Sequence, residues 1–144
     1  MIKIHGSAVE INGKGVLLIG SSGAGKSDLA LRLIDGGARL IADDYTIIEG
    51  QKDGSALMSS PDEISGLIEV RGLGLMKMPY TCSIPLHLVF ELTPYGDINR
   101  MPDLAEVTLD GVTVPQRQLD PFMASAAATV RLAALQDELR SGYE

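Results

Sequence analysis

Val16-Leu17-Leu18-Ile19 runs directly into Gly20-Ser21-Ser22-Gly23-Ala24-Gly25-Lys26-Ser27, and Leu29, Ala30, Leu33 and Ile34 then recur at helical spacing until Gly36-Gly37. The apolar run has no alternation, as expected of a strand covered on both faces. The glycine-rich stretch satisfies G-x-x-x-x-G-K-[ST], and the periodic stretch predicts a helix of about three turns that the paired glycines stop. Strand, glycine loop and helix in that order form a phosphate-binding unit. Glycines let backbone N–H groups converge on phosphate oxygens, and the helix adds its positive N-terminal end. Lys26 is placed to reach β- and γ-phosphates, and the Ser27 hydroxyl to ligate Mg²⁺. Gly20, Ser21, Ser22, Gly23, Ala24, Gly25, Lys26 and Ser27 are therefore the candidate nucleotide-binding residues.

On the N-terminal side, Ile2-Lys3-Ile4-His5 alternates apolar and polar, and Ala8-Val9-Glu10-Ile11 leads into Asn12-Gly13, a strong hairpin signal. Two antiparallel strands should open the fold. On the C-terminal side, Leu40-Ile41-Ala42 predicts a strand lying beside the phosphate-loop strand, joined to it by a right-handed crossover through the helix. Short strands follow at Thr46-Ile47-Ile48, around Ala56 to Met58, and at Leu67 to Val70; Ser60-Pro61-Asp62-Glu63 starts a very short helix that Gly66 ends. Arg71 to Pro79 has no clean period and reads as a specially shaped loop. Leu86 to Leu92 reads as a strand, and Asp110-Gly111 centres a second hairpin over Val107 to Val114. A closing amphipathic helix is expected with Asp120 as N-cap, Pro121 at its first position, Phe122, Ala126, Val130, Ala133 and the Leu135/Leu139 pair near one face, and an end at Ser141-Gly142. The pattern predicts an α/β fold, a mixed sheet with flanking helices around one phosphate loop.

Composition bounds the rest. The 144 residues and 15.3 kDa fit one domain, so 1–144 is taken as a single unit. Twelve Lys and Arg stand against 19 Asp and Glu, a net charge of −7, which opposes general adhesion to nucleic acid or to an anionic membrane. Any anion site must then be local, and Lys26, Arg71, Lys77, Arg100 and Arg117 are the cations expected to gather around it. One cysteine, Cys82, permits no internal disulfide, and no signal-like or membrane-spanning stretch is seen. A cytoplasmic protein is the expectation.

Asp43-Asp44 follows the predicted third strand, 18 residues beyond Lys26. Paired acidic residues alone usually mark a solvated turn; beside a phosphate loop, one carboxylate can hold Mg²⁺ or take a proton. Because strand side chains alternate, only one of the two should face the nucleotide while the other braces a loop. Glu69 and Arg71 share one face of a strand, which by itself reads as a weak surface ion pair. His5 sits in a polar slot of the first strand, and His87 reads as structural. There is no Asn-Lys-x-Asp base-reading motif, which disfavours a GTPase switch, and no G-x-G-x-x-G at the position a dinucleotide site needs.

With these residues in place the chain resembles the HPr kinase/phosphorylase family, which acts on a serine of the sugar-phosphotransferase carrier HPr. The resemblance is carried by His5-Gly6, the loop Gly20 to Ser27, Arg39-Leu40-Ile41-Ala42-Asp43-Asp44, and above all Ile68-Glu69-Val70-Arg71-Gly72-Leu73-Gly74-Leu75, with matching separations between them. It implies a catalytic domain similar to phosphoenolpyruvate carboxykinase, assembly as a hexamer, ATP as phosphoryl donor, Mg²⁺, and an HPr-like carrier as partner. It also implies that Asp44 takes the proton from the target serine and returns one during dephosphorylation. Ser27 and Glu69 would ligate Mg²⁺, Lys26 would clamp the phosphates, and His5 would lie near the reacting phosphate. Arg100, within Ile98-Asn99-Arg100-Met101, looks like the family's later catalytic arginine. An aspartate buried beside phosphate would hold its proton to higher pH, which suits an acid in one direction and a base in the other.

The family's N-terminal domain has no counterpart in this sequence. Val114-Pro115-Gln116-Arg117-Gln118 keeps one arginine of the Pro-x-Arg-x-Gly-Arg pattern tied to dephosphorylation and lacks the second, so the kinase direction is the better supported. Two rival readings share the glycine loop. One is a nucleotide-sensing regulatory module that binds a partner without transferring phosphate; the other is a kinase of a small hydroxylated metabolite.

Overall fold

In the computed structural model, which describes residues 1–101, 104–137 and 139, the chain opens on the expected hairpin. Strand β1 (Ile2–Ile11) turns through Asn12 and Gly13, both at positive φ (51° and 82°), into β2 (Lys14–Ile19). That two-residue turn matches the right-handed twist of the strands it joins. The glycine loop follows, then α1 (Lys26–Asp35), β3 (Arg39–Ala42), β4 (Tyr45–Gly50) and β5 (Ala56–Ser59). A single 3₁₀ turn at Asp62–Ile64 precedes β6 (Leu67–Val70) and β7 (Gly74–Lys77). The chain continues through β8 (Ile84–Leu92), a 3₁₀ turn at Tyr95–Asp97, β9 (Ala105–Leu109), β10 (Val112–Leu119) and α2 (Ala126–Ala134).

The main sheet runs β3-β1-β2-β8-β10-β9, with β2 parallel to β8, β8 parallel to β10, and the β1–β2, β1–β3 and β9–β10 pairs antiparallel. A second, antiparallel layer uses the outer ends of two of its strands: Ile2–His5 of β1 pairs with β4, β4 with β5, and β5 with the start of β8. Strand alternation then divides the core in two. Val9, Val16, Leu18, Leu40, Leu88 and Phe90 point to the helices, where they meet Leu29, Leu33 and Val130. Ala8, Leu17, Ile41 and Val89 point the other way, onto Ile48, Ala56 and Met58 of the second layer. Each of these side chains larger than alanine contributes about 1.5–3 kcal/mol when taken from water. Both faces of β2 are covered, which explains its unbroken apolar run. No helix among the described residues is long and apolar enough to span a membrane.

Three expectations are corrected. β3 does not lie beside β2; β1 stands between them. The tight turn gives β1's first edge to β2, so the crossover through α1 lands on β1's other edge, one strand further. Arg71 to Pro79 is not loop throughout, since β7 pairs with β6 from Leu67↔Lys77 to Val70↔Gly74. Gly72 and Gly74, both at φ 93°, allow the reversal, and the Leu73 N–H bonds the Val70 carbonyl at 2.9 Å. Apolar residues on both faces, Leu75 exposed and Met76 half-buried, hide its period.

The third correction is α2, which starts five residues later than expected. Asp120 caps a turn instead of a helix: Oδ1 accepts the Phe122 N–H at 2.9 Å and Oδ2 the Tyr95 N–H at 3.1 Å. Arg32 holds the Pro121 carbonyl as well. Phe122 and Leu135 are consequently exposed, and Ala126, Val130 and Ala134 form the buried stripe. The helix also stops at Ala134, with Leu135 as its C-cap, well before the end expected at Ser141-Gly142, which itself lies outside the described residues.

Candidate active site

Where β3 gives way to β4, the two-residue link Asp43-Asp44 sends its side chains to different places. Asp43 is buried and gathers three donors from separate elements. Its Oδ1 accepts the Ser7 hydroxyl of β1 at 2.6 Å and the Ser27 hydroxyl of α1 at 2.7 Å, and its Oδ2 accepts the Glu69 N–H of β6 at 3.0 Å. Asp44 lies beyond the strand's end in the left-handed region (φ 72°), a conformation that aspartate tolerates better than most residues. The Gly6 N–H donates to its carbonyl at 2.9 Å, and its carboxylate Oδ1 meets His5 Nε2 at 3.1 Å. Its side chain is 64% exposed. The aspartate that opens outward is therefore not buried, which corrects the expectation of a buried proton carrier.

The glycine loop sits next to this pair. Gly25, at φ 100°, ends the loop and starts α1, and no side chain caps the helix. The first helical N–H groups are thereby directed at whatever occupies the loop. Lys26 is buried, and its Nζ donates to the Gly20 and Ser21 carbonyls, each at 2.8 Å. Burial pushes this ammonium below the ordinary lysine range, and the Asp44 and Asp43 carboxylates pull it part of the way back.

His5, Gly25, Lys26, Ser27 and Asp44 line one cavity of about 600 Å³ together with Ser22, Gly23, Glu69, Arg71 and Phe122, while Asp43 lies buried behind it. Of the sequence-predicted site residues, His5, Ser22, Gly23, Gly25, Lys26, Ser27, Asp44 and Glu69 lie in its wall. Gly20, Ser21 and Ala24 of the loop do not, and neither does Arg100, which is exposed in the stretch after the Tyr95–Asp97 turn. The expected gathering of five cations is also corrected: Lys26 and Arg71 line this cavity, the exposed Lys77 and Arg100 do not, and Arg117 lines another of about 450 Å³ and bonds the Ala105 and Gln116 carbonyls. Glu69 and Arg71 form no ion pair with each other.

Sequence reasoning missed Ser7 behind the site and, in its wall, Asp28, Leu31 and Phe122. Ser7 anchors Asp43 but is an ordinary polar residue in a strand. Phe122 was hidden by the Asp120-Pro121 helix-start signal. The wall also offers oxygen donors for a hard cation. Ser27 Oγ spends its hydrogen on Asp43, which leaves oxygen lone pairs, and Glu69 is exposed beside it. A sparse, all-oxygen set of this kind fits Mg²⁺, which usually takes one or two protein ligands and fills its shell with phosphate oxygens and water.

Residues 1–82 match the protein family described as HPr Serine kinase C-terminal domain. A Clostridium tetani protein named HPr kinase/phosphorylase is 34% identical over an alignment of 150 residues, covering 90% of this chain and 48% of that protein. One of the same name from Bacillus cytotoxicus is 47% identical over 75 residues, 52% of this chain and 24% of its own length. The chain thus spans half or less of the curated relatives it matches. Among solved structures, that of the Hpr(Ser) kinase/phosphatase from Coxiella burnetii shares the fold, with a TM-score of 0.81 at 22% identity over 92% of this chain and 93% of that one.

Proposed function

The chain belongs to the HPr serine kinase C-terminal domain family, and on that premise we propose that it is an ATP- and Mg²⁺-dependent kinase of a serine on an HPr-like carrier. The observation that carries this reading is one cavity shared by a glycine loop with its lysine and by an outward-facing aspartate. In this reading the loop is a P-loop and 1–144 a single kinase catalytic domain of the phosphoenolpyruvate carboxykinase kind, working in the cytoplasm as a homo-hexamer.

Phosphoryl transfer needs positioning and charge neutralisation more than covalent chemistry from the protein. The loop amides and Lys26 hold the triphosphate; on its arrival Lys26 exchanges its bonds to Gly20 and Ser21 for phosphate oxygens. Asp44 accepts the serine hydroxyl proton as the serine oxygen bonds to the γ-phosphorus and the bond from that phosphorus to the β–γ bridging oxygen breaks, releasing ADP. His5 orients the Asp44 carboxylate. Arg100, assigned by resemblance alone, adds positive charge. The cavity wall carries Lys26 and Arg71 against Asp28, Asp44 and Glu69, so Mg²⁺ held by Ser27 and Glu69 supplies the positive charge that a bare triphosphate would otherwise lack there. In the other direction inorganic phosphate takes the place of ADP: one of its oxygens bonds to the phosphorus of phosphoserine as the bond from that phosphorus to the serine oxygen breaks, Asp44 returns a proton to the serine oxygen, and pyrophosphate leaves.

Incubating the chain with γ-labelled ATP, Mg²⁺ and HPr tests the reading. Label on an HPr serine is expected. Tight ATP binding with no transfer would contradict it and favour a nucleotide-sensing regulator.

A further inference from the structure

Phe122 stands in the wall of the nucleotide cavity and has no part in the transfer chemistry. The residue is 74% exposed, so it forgoes the burial that ordinarily stabilises a phenyl ring. Yet its backbone is firmly held. Asp120 accepts its N–H at 2.9 Å and ties the same turn to Tyr95 at 3.1 Å. Arg32, paired with Asp28 at 3.1 Å, grips the Pro121 carbonyl just before it. These contacts set the ring against the glycine loop: a Cβ added at Gly25 would lie 3.4 Å from the phenyl Cζ and 3.2 Å from Pro121 Cγ.

Position decides what the ring meets. His5 and Asp44 enter the cavity from β1 and from the β3–β4 link, whereas Phe122 enters over the Asp28–Arg32 stripe of α1. A triphosphate whose reacting end is at Asp44 leaves the loop at its other end, where the nucleoside is attached. We propose that Phe122 is the stacking platform for the base of the bound nucleotide, an inference that rests on the nucleotide reading above. A phenyl face accepts any base and does not read its hydrogen-bonding edge, so GTP should depend on Phe122 as ATP does.

Calorimetric titration of the whole chain with Mg-ATP, and separately with Mg-tripolyphosphate, which lacks the nucleoside, tests this. Phe122→Ala should weaken ATP about tenfold or more and leave tripolyphosphate unchanged. The chain contains no tryptophan, so Phe122→Trp adds a single reporter indole; it should keep ATP affinity and be quenched by ATP but not by tripolyphosphate. Equal losses for both ligands would make Phe122 a mere support of the loop and overturn the proposal. So would unchanged ATP affinity in Phe122→Ala, even with less HPr phosphorylated, because the ring would then meet the partner instead. If the wild-type chain binds neither triphosphate, the nucleotide reading itself falls and this inference falls with it. The indole readout decides the matter if the alanine variant does not fold.

Discussion

Asp43 is one carboxylate that joins three elements: its bonds to Ser7, Ser27 and the Glu69 N–H tie β1, α1 and β6 to the end of β3. Removing it leaves the buried Ser7 hydroxyl without an acceptor, at about 1–3 kcal/mol, and costs less for each of the two part-buried donors. Asp43→Ala should therefore melt roughly 10 °C below the wild type, with Ser27 no longer held for metal binding. A wild-type melting temperature would show that the three bonds contribute nothing. Side-chain alternation along a strand predicts that one aspartate faces the cavity and its neighbour does not, and the split is found, although both residues lie in the bend beyond the end of β3. Which is which was not legible, because it depends on Asp44 lying past the end of β3 at φ 72°, a backbone state that no local sequence signal announces.

Among the elements, the hairpins were legible because their information is local. Asn12-Gly13 and Asp110-Gly111 both supply the positive φ values that such turns need. The place of β1 between β2 and β3 was not, because apolar strands of similar composition do not declare their neighbours. The late start of α2 was missed for a related reason: Asp120 bonds Tyr95, a partner 25 residues away, as well as the nearby Phe122. Asp110 has a second task besides its turn. It accepts the Gly50 N–H at 2.7 Å and pairs with the Met1 ammonium at 3.1 Å, so it clamps the β9–β10 hairpin to β4 and to the chain's start. The Gly50 bond foremost, then the ammonium, holds its carboxyl below the ordinary carboxylate range. The folded state therefore favours the ionised form, and the stability this adds is complete above the unfolded value and lost as pH falls through the lowered folded one. Asp110→Asn should be less stable than the wild type near neutral pH, with the difference shrinking in acid. Urea midpoints measured at both ends of that range check it, and a constant difference would contradict it.

For the molecule as a whole, the proposed nucleotide site reconciles a net charge of −7 with an anionic ligand only if bound Mg²⁺ adds positive charge there. Lys26 and Arg71 are outnumbered in the cavity wall by Asp28, Asp44 and Glu69. ATP binding should consequently fall sharply when EDTA removes Mg²⁺, as titration with and without chelator would show; equal affinities would mean that the protein's own cations suffice. The proposed hexamer predicts a sedimenting mass about six times the 15.3 kDa of one chain, and a monomer under working conditions would contradict it. The central claim, that this cavity transfers phosphate with Asp44 as base, is tested most directly by quantifying phosphoserine on HPr for the wild type and for Asp44→Asn while ATP affinity is measured on the same preparations. The account predicts that the variant binds Mg-ATP as the wild type does and transfers phosphate on the order of 100-fold or more slowly. Phosphoserine formed at the wild-type rate by Asp44→Asn would contradict it.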